Sequence, residues 1–570
     1  MDDRLGSLIP QPVAVRSRPG ALTLTALPAV EPAGTGPEQQ TRAAAAAVAN
    51  TLAGVPWPTE PAPHPTGPRC TVTLVAHLGP EAYRLAVNPD GISIEAGDPT
   101  GAGYAAQTIR QLLPADAWRA APVAHQGAND WQLPCAQIDD RPALRWRGAH
   151  IDVARHFATK RELLAVIDAL AALKLNRLHL HLTDDQGWRI ESRLHPRLHE
   201  IGSHRSRTRI SLNDERPKVY EDIPHGGYYT LADLGEIAAY AGQRGMALVP
   251  EIDLPGHSTA LLAALPELGS GPAPDGGYDV LGDWGIFPNL LAPLPASMRV
   301  LHDIFGELLA ATGSRYVHIG GDECILDRWR DDDRIEAAQR DRGLATAEQL
   351  HAAFLHDVAD MLAADFGARA VVWDEGFSSA GGSAGMLRPD TIVMAWRGMA
   401  IAQQAALAGH DVVAAPVLPT YFDYYQERGS TEPVAIGGPV RLEDVARFEP
   451  VPADWPQQAR EHLIGTQFQV WTEYIRDGRA LEYMIFPRAC ALADVAWSGG
   501  PAPSRGAGGW HPRLAAHLGR LDAAGVEYRP LDGPRPWQEG GAGPRRHRPG
   551  YRIADVTAHL ADITRHPDSR

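Results

Sequence analysis

From Arg145 onward one pattern recurs: a short hydrophobic, β-forming run stops at polar residues and gives way to a helix or a long loop. The runs are Gly148–Asp152, Arg177–Leu182, Ala247–Pro250, Tyr316–Ile319, Ala370–Trp373, Thr391–Ala395, Asp411–Ala414 and Ile464–Val470. Strands alternating with helices favour a parallel sheet, because a parallel neighbour is reached only by a crossover. Eight of them predict an α/β fold closed as a (β/α)8 TIM barrel. An open doubly wound sheet is the alternative, and it calls for a glycine-rich phosphate loop after the first strand. Val153-Ala154-Arg155-His156 stands there instead.

The connecting helices carry their own punctuation. Thr159-x-x-Glu162, Thr230-x-x-Asp233 and Thr346-x-x-Gln349 each resemble a capping box, and Gly245 and Gly367 sit where a C-cap belongs. Leu163, Ile167, Leu170 and Leu173 follow the first box at helical spacing, predicting a face packed on the barrel.

A chain of 570 residues exceeds what one core covers. Residues 1–140 read as a small α/β supporting domain, with a helix at Gln40–Leu52, strands at Thr71–Val75, Tyr83–Val87 and Ile92–Ile94, and a helix at Tyr104–Leu113. Residues 141–500 form the barrel. Residues 501–570 add a helix at His511–Ala524 packed on it and a turn-rich tail from Gly540. With 53 basic against 69 acidic residues the net charge is -16, which disfavours nucleic acid as a partner. No apolar run is long enough to span a bilayer, and Met1–Pro10 has neither a positive n-region nor an apolar h-region. The expected location is cytoplasmic for the chain as it stands, or secreted if an export signal has been removed. Cys70, Cys135, Cys324 and Cys490 match no zinc spacing and read as reduced thiols.

In a barrel of this kind chemistry sits where strands end. Arg155 and His156 follow the first strand, Asp184, Asp185 and Trp188 the second, and Glu251, Asp253 and His257 the third. Asp322 and Glu323 end the fourth after Gly320-Gly321, and Trp373, Asp374 and Glu375 end the fifth. Trp396 and Arg397, then Tyr421 and Asp423, then Trp471 and Glu473 close the last three. Adjacent carboxylates disfavour each other's ionisation, so one of Asp322 and Glu323 is expected to keep its proton near neutral pH, as a general acid must. Acids, two arginines and four tryptophans on one rim suit a sugar ring, whose C–H faces are apolar and whose edge is hydroxyls. A glycosidase is the natural reading. The competitor is a metal hydrolase built on His179-x-His181 with Asp184 and Asp185. That site would need histidines from later strands, and His179 and His181 read instead as neutral residues packed along theirs.

Taken in order, Arg147-Gly148-Ala149-His150-Ile151-Asp152-Val153-Ala154-Arg155-His156-Phe157, Leu180-His181-Leu182-Thr183-Asp184-Asp185-Gln186-Gly187-Trp188-Arg189, Pro250-Glu251-Ile252-Asp253-Leu254-Pro255-Gly256-His257 and His318-Ile319-Gly320-Gly321-Asp322-Glu323 resemble the signature blocks of glycoside hydrolase family 20, the β-N-acetylhexosaminidases. Trp471-Thr472-Glu473 and Phe486-Pro487-Arg488 continue the likeness, which covers roughly Arg145 to Ser498. The resemblance implies a retaining hydrolysis without cofactor or metal, in which the substrate's own 2-acetamido oxygen is the nucleophile. It assigns Glu323 as acid and base, Asp322 to the acetamido N–H and Tyr421 to the acetamido oxygen. It makes Trp373, Trp396 and Trp471 the pocket walls, gives Arg155, Asp423 and Glu473 the ring hydroxyls, and sets Asp184 and His257, assisted by Asp253, behind the acid. The implied substrate is an oligosaccharide or glycoconjugate ending in β-linked N-acetylhexosamine. A lacto-N-biosidase-like enzyme and a catalytically silent sugar-binding relative are the alternatives. Asp374, Glu375 and the loop from Gly276 to Ala292 receive no role in the pocket.

Overall fold

The computed structural model describes residues 4–34, 37–57, 67–123, 131–212, 216–379, 386–502 and 509–539. Its larger unit is a closed barrel of eight parallel strands: Trp146–Asp152, Arg177–His181, Ala247–Leu254, Tyr316–Gly320, Arg369–Trp373, Ile392–Ala395, Val412–Ala414 and Leu463–Phe468. Each pairs with its sequence neighbours, and the eighth closes onto the first with Gly465 opposite Trp146. Closure removes the open-sheet alternative. All eight expected strands are present. The third runs four residues further than expected, to Leu254, so Glu251 lies inside the barrel wall and not at its rim.

Helix Lys160–Ala172 starts with the full capping box, Thr159 and Glu162 bonding reciprocally, and it buries Leu163, Val166, Ile167 and Leu170. Each such side chain contributes about 1.5–3 kcal/mol of burial. Thr230 and Asp233 form the second box. The third is half made: Thr346 accepts from the Gln349 amide, but Gln349 Oε1 turns to Ala345 N instead. Gly245 (φ +77°) closes its helix with the paired bonds Met246 N to Ala241 O and Gly245 N to Gly242 O, and Gly367 (φ +64°) ends another.

A six-stranded sheet precedes the barrel, in the spatial order Ala14–Leu24, Trp131–Asp140, Tyr83–Asn88, Gly91–Ala96, Arg69–Leu74, Ala29–Pro32. Helices Glu38–Ala53 and Pro99–Leu112 pack on it. Buried ion pairs join this unit to the barrel. Arg147 on the first barrel strand meets Glu81 at 3.0 Å and Tyr104, and Lys174 meets Asp140 at 2.8 Å beside Tyr83. Helix Trp510–Ala524 wedges between the two units: Arg513 pairs with Asp494 at 2.6 Å, and Arg520 binds Ser7 and the Gln111 carbonyl. The tail expected to be turn-rich, from Gly540, lies outside the described residues. Among the described residues no helix is long and apolar enough to cross a membrane.

Candidate active site

The barrel lumen is polar at its centre. Glu251 from the third strand is fully buried, and Oε2 lies 2.6 Å from His181 Nδ1 and 3.1 Å from His179 Nε2. Its Oε1 lies 2.8 Å from His318 Nδ1 and accepts from the Trp373 indole at 2.9 Å. His150 approaches at 3.8 Å. Burial pushes His150 well below the usual histidine range and His179 down to about 4. His181 is the exception. Burial opposes its charge too, but Glu251 on one side and Asp184, 2.8 Å away on the other, hold it protonated. The sequence expectation that both histidines of His179-x-His181 are neutral is therefore corrected for His181, whose place between two carboxylates favours the charged ring.

From Asp184 the network climbs to the rim. Asp184 Oδ2 meets the Arg155 guanidinium at 2.7 Å, and its Oδ1 lies 3.3 Å from His257 Nδ1. The same nitrogen is 3.2 Å from Asp185, and His257 Nε2 is 3.4 Å from Glu323. Burial works against the imidazolium, yet Asp184 and the bonds to Asp185 and Glu323 push His257 well above its ordinary value. His257 (φ +47°) and Glu323 (φ +51°) both have left-handed backbones, a strain that persists where surrounding structure fixes it. Gly320 explains how the fourth strand delivers its acids. It turns at φ +68°, and a Cβ there would sit 1.7 Å from Asp253 Oδ1, so only glycine admits that carboxylate.

Of the Asp322–Glu323 pair, Asp322 is the carboxyl driven well above its ordinary range, by burial first and then by Asp253. Asp253 itself is pushed up to about 8, by burial and then Glu251. Both oxygens of Asp253, Oδ1 of Asp322 and Oδ1 of Asp423 are buried without a hydrogen-bond partner among the described residues. Buried acceptors without partners are uncommon, and four converging on one strand-end cluster leave room there for a donor from outside the chain.

Aromatic rings line the same recess. Trp471 lies 5.9 Å from Trp373 and 6.4 Å from Tyr421, and Tyr421 stacks on Trp396 at 6.3 Å. Burial, with Asp423 and Asp322 nearby, pushes the Tyr421 phenol up, so it stays a donor. Arg155 spans Asp152, Asp184 and Gln186 and lies 5.0 Å over the Trp471 ring. Asp423 is pushed up by burial and then by the charge of Glu473. Thus Glu323, Asp322, Tyr421, Arg155, Trp373, Trp396, Asp423, Trp471, Glu473, Asp184, His257 and Asp253 converge on the rim and the lumen beneath it. Trp188 does not. It is buried in the outer core with its indole bonded to the Ile190 carbonyl, so three of the four expected tryptophans meet, not four.

Residues without an expected role prove to be braces. Asp374 accepts from the Trp396 and Arg397 amides and pairs with Arg397, while Glu375 accepts from the Trp396 indole at 2.7 Å. In the loop from Gly276 to Ala292, Asp283 gathers Arg209, Lys218 and Tyr220, and its carbonyl accepts from Gln186, which holds Arg155. Buried Arg488 donates to the carbonyls of Phe422, Tyr424, Val440 and Met484, pinning the segment that carries Tyr421 and Asp423. Cys324 Sγ bonds the Asp322 carbonyl, and burial pushes the thiol well up, so it is no thiolate nucleophile. His150, His179 and Glu251 lie within 4.8 Å of one another, as do Asp184, Asp185 and His257 and two further trios. Histidines thus do converge from several strands. Some of these atoms are already committed, Glu251 Oε2 to His181 and both ring nitrogens of His257 to carboxylates, whereas both ring nitrogens of His150 and both oxygens of Asp253 have no hydrogen-bond partner among the described residues.

Comparison with known proteins agrees with this geometry. Residues 144–500 match the family described as "Glycosyl hydrolase family 20, catalytic domain", and residues 6–141 match "Glycosyl hydrolase family 20, domain 2". A "Beta-hexosaminidase" of Porphyromonas gingivalis is 34% identical over 471 residues, covering 82% of this chain and 56% of the relative. The chain thus spans little more than half of that protein's length. A "Beta-N-acetylhexosaminidase" of Cellulomonas fimi is 34% identical over 457 residues, covering 79% of this chain and 80% of the relative. The crystal structure of an exo β-N-acetylglucosaminidase from Vibrio harveyi in complex with N-acetylglucosamine superposes with a TM-score of 0.76 at 30% identity, covering 92% of this chain and 78% of that one.

Proposed function

This chain belongs to glycosyl hydrolase family 20, and from that premise we propose that it is an exo-acting, retaining β-N-acetylhexosaminidase using substrate-assisted catalysis. The observation that carries the reading is the strand-end cluster in which Glu323, backed by His257, stands beside Asp322 and the rings of Trp373, Trp396, Tyr421 and Trp471. Asp322 and Glu323 are neighbours on one loop, so neither faces the other across a sugar as a nucleophile and an acid would. The nucleophile then comes from the substrate. The indoles hold the 2-acetamido group against the anomeric carbon, converting a floppy side group into a near-attack arrangement. Tyr421 donates to the acetamido oxygen.

As that oxygen attacks, Glu323 passes its proton to the departing glycosidic oxygen, and an oxazolinium ring forms with positive charge on its nitrogen. Asp322 accepts the acetamido N–H and stabilises that charge. Burial drives its carboxyl up, and the incoming N–H favours its ionised form. Glu323, now a carboxylate, takes a proton from the water that opens the ring on the same face, and configuration is retained. Arg155, Asp423 and Glu473 grip the ring hydroxyls and close the pocket around one terminal sugar.

The test is release of chromophore from aryl N-acetyl-β-glucosaminide and N-acetyl-β-galactosaminide. Wild type is expected to cleave at least one, and Glu323→Gln to lose about 10²–10⁴-fold in turnover. No release from either by wild type overturns the reading.

A further inference from the structure

Glu251 is out of reach of any sugar, fully buried in the barrel lumen, yet it touches both halves of the machinery just proposed. One oxygen accepts the Trp373 indole at 2.9 Å, fixing a wall of the acetamido pocket. The other begins a chain in which carboxylate and imidazole alternate: Glu251 to His181 at 2.6 Å, His181 to Asp184 at 2.8 Å, Asp184 to His257 at 3.3 Å, and His257 to Glu323 at 3.4 Å. We propose that Glu251 is a positioning residue for both arms of the reaction, holding the nucleophile's pocket through Trp373 and the proton donor through the His181–Asp184–His257 chain.

The physical case is orientation. An imidazole between two carboxylates has both ring nitrogens committed as donors, which fixes its tilt and leaves it no second rotamer of equal energy. His181 is such a ring and His257 is another. Glu251 anchors the lower one, and without it His181 has a single partner and can turn. The groups facing this anchor are His179 and His318 from the two adjoining strands, His150 from the first strand and Asp253 from its own. None of them replaces the 2.6 Å bond to His181 Nδ1. Farther up the chain, Arg155 and Asp185 hold Asp184 and His257 from the side, so the chain is braced but not rebuilt when its foot is removed.

Glu251→Gln separates the two arms. The amide oxygen still accepts from Trp373, while the amide nitrogen cannot accept from His181, which must lose that partner or give up its Nδ1 proton; the pocket wall stays and the chain loses its anionic anchor. This inference rests on the proposed hydrolysis, and a series of aryl N-acetyl-β-glucosaminides tests the two apart. Dinitrophenol leaves without a proton, whereas methoxyphenol needs one. In the Glu251→Gln variant, kcat/KM is expected to fall about 30-fold for the methoxyphenyl glycoside and less than about 3-fold for the dinitrophenyl one, a share of the 10²–10⁴ that general acids supply. Glu251→Ala also strips Trp373 of its acceptor and is expected to add a loss on the dinitrophenyl substrate. If Glu251→Gln does not fold, His181→Gln breaks the chain one link higher and carries the same comparison. An equal loss at both ends of the series, or none, overturns the inference while active wild type leaves the hydrolytic reading standing. Wild type inert on the whole series overturns that reading itself.

Discussion

Replacing Asp184 with asparagine alters one atom's chemistry and leaves the side chain's shape alone. In the fold, Oδ2 of Asp184 faces the Arg155 guanidinium and His181 Nε2, and Oδ1 accepts from the Asp185 amide and faces His257 Nδ1. Every neighbour is a donor. Asparagine offers one oxygen and one NH2, so in either orientation the NH2 meets a pair of donors. Facing the first pair, His181 can release its proton and accept, but Arg155 cannot. Facing the second, His257 can, but the Asp185 amide cannot. One donor–donor conflict survives both ways, and the site is sealed from solvent that could relieve it. Breaking a buried ion pair on one side costs about 3–5 kcal/mol. A chain of this size unfolds with an entropy of roughly 1 kcal/mol/K, so Tm should fall by about 3–5 °C. Activity should fall about 10²-fold besides, because His257 leans on Asp184 and Glu323 on His257. Thermal melts and initial rates at pH 7 measure both. An Asp184→Asn variant that melts within about 1 °C of wild type and turns over at its rate would refute the reasoning.

Three further outcomes follow from the same geometry. Burial opposes protonation of His181 and His257, but Glu251 and Asp184 respectively raise them well above the unfolded value of about 6.5. Their contribution to stability is fully present below that pH and is lost as pH rises through the folded values, so Tm should decline steadily on the alkaline side; a flat profile from about pH 6 to 9 contradicts it. Asp322→Ala should lower turnover of acetamido glycosides by about 10²–10³-fold, and added azide should not restore it; rescue as full as that of an enzyme lacking its own nucleophile would remove the assigned role. Gly320→Ala puts a methyl 1.7 Å from Asp253 Oδ1 at φ +68° and should lower both Tm and kcat, the backbone alone costing about 1–2 kcal/mol. Wild-type values for both would show that Asp253 is not held where the barrel places it.

The barrel was legible because each strand is an apolar run that stops at polar residues, a contrast visible without coordinates. Lumen chemistry was not. Glu251 reads as one more rim acid because Pro250-Glu251-Ile252-Asp253 gives no sign that the strand continues to Leu254. His150 and His318 look like ordinary strand residues until closure brings them around Glu251. Trp188 and Trp471 both follow strand ends, yet a two-stranded turn, Thr183–Asp184 against Gly187–Trp188, folds the first one into the outer core. In the first domain, strands Ala14–Leu24 and Trp131–Asp140 are not legible in the sequence because Pro19, Gly20 and Pro134 interrupt them. Ala14–Leu24 is an edge strand whose register shifts between Ser17 and Ala21, the setting in which a sheet tolerates proline.

The seam between the two units bears on any attempt to work with the barrel by itself. Arg147 and Lys174 are almost completely covered, and their counter-charges, Glu81 and Asp140, belong to the preceding sheet. Excising the chain at residue 141 would bequeath the isolated barrel two stranded cations and an indole, Trp497, bereft of its Asp140 acceptor. The front portion is therefore a fitted counterpart of the barrel, and truncation should yield an aggregating fragment where the intact pair yields a folded whole.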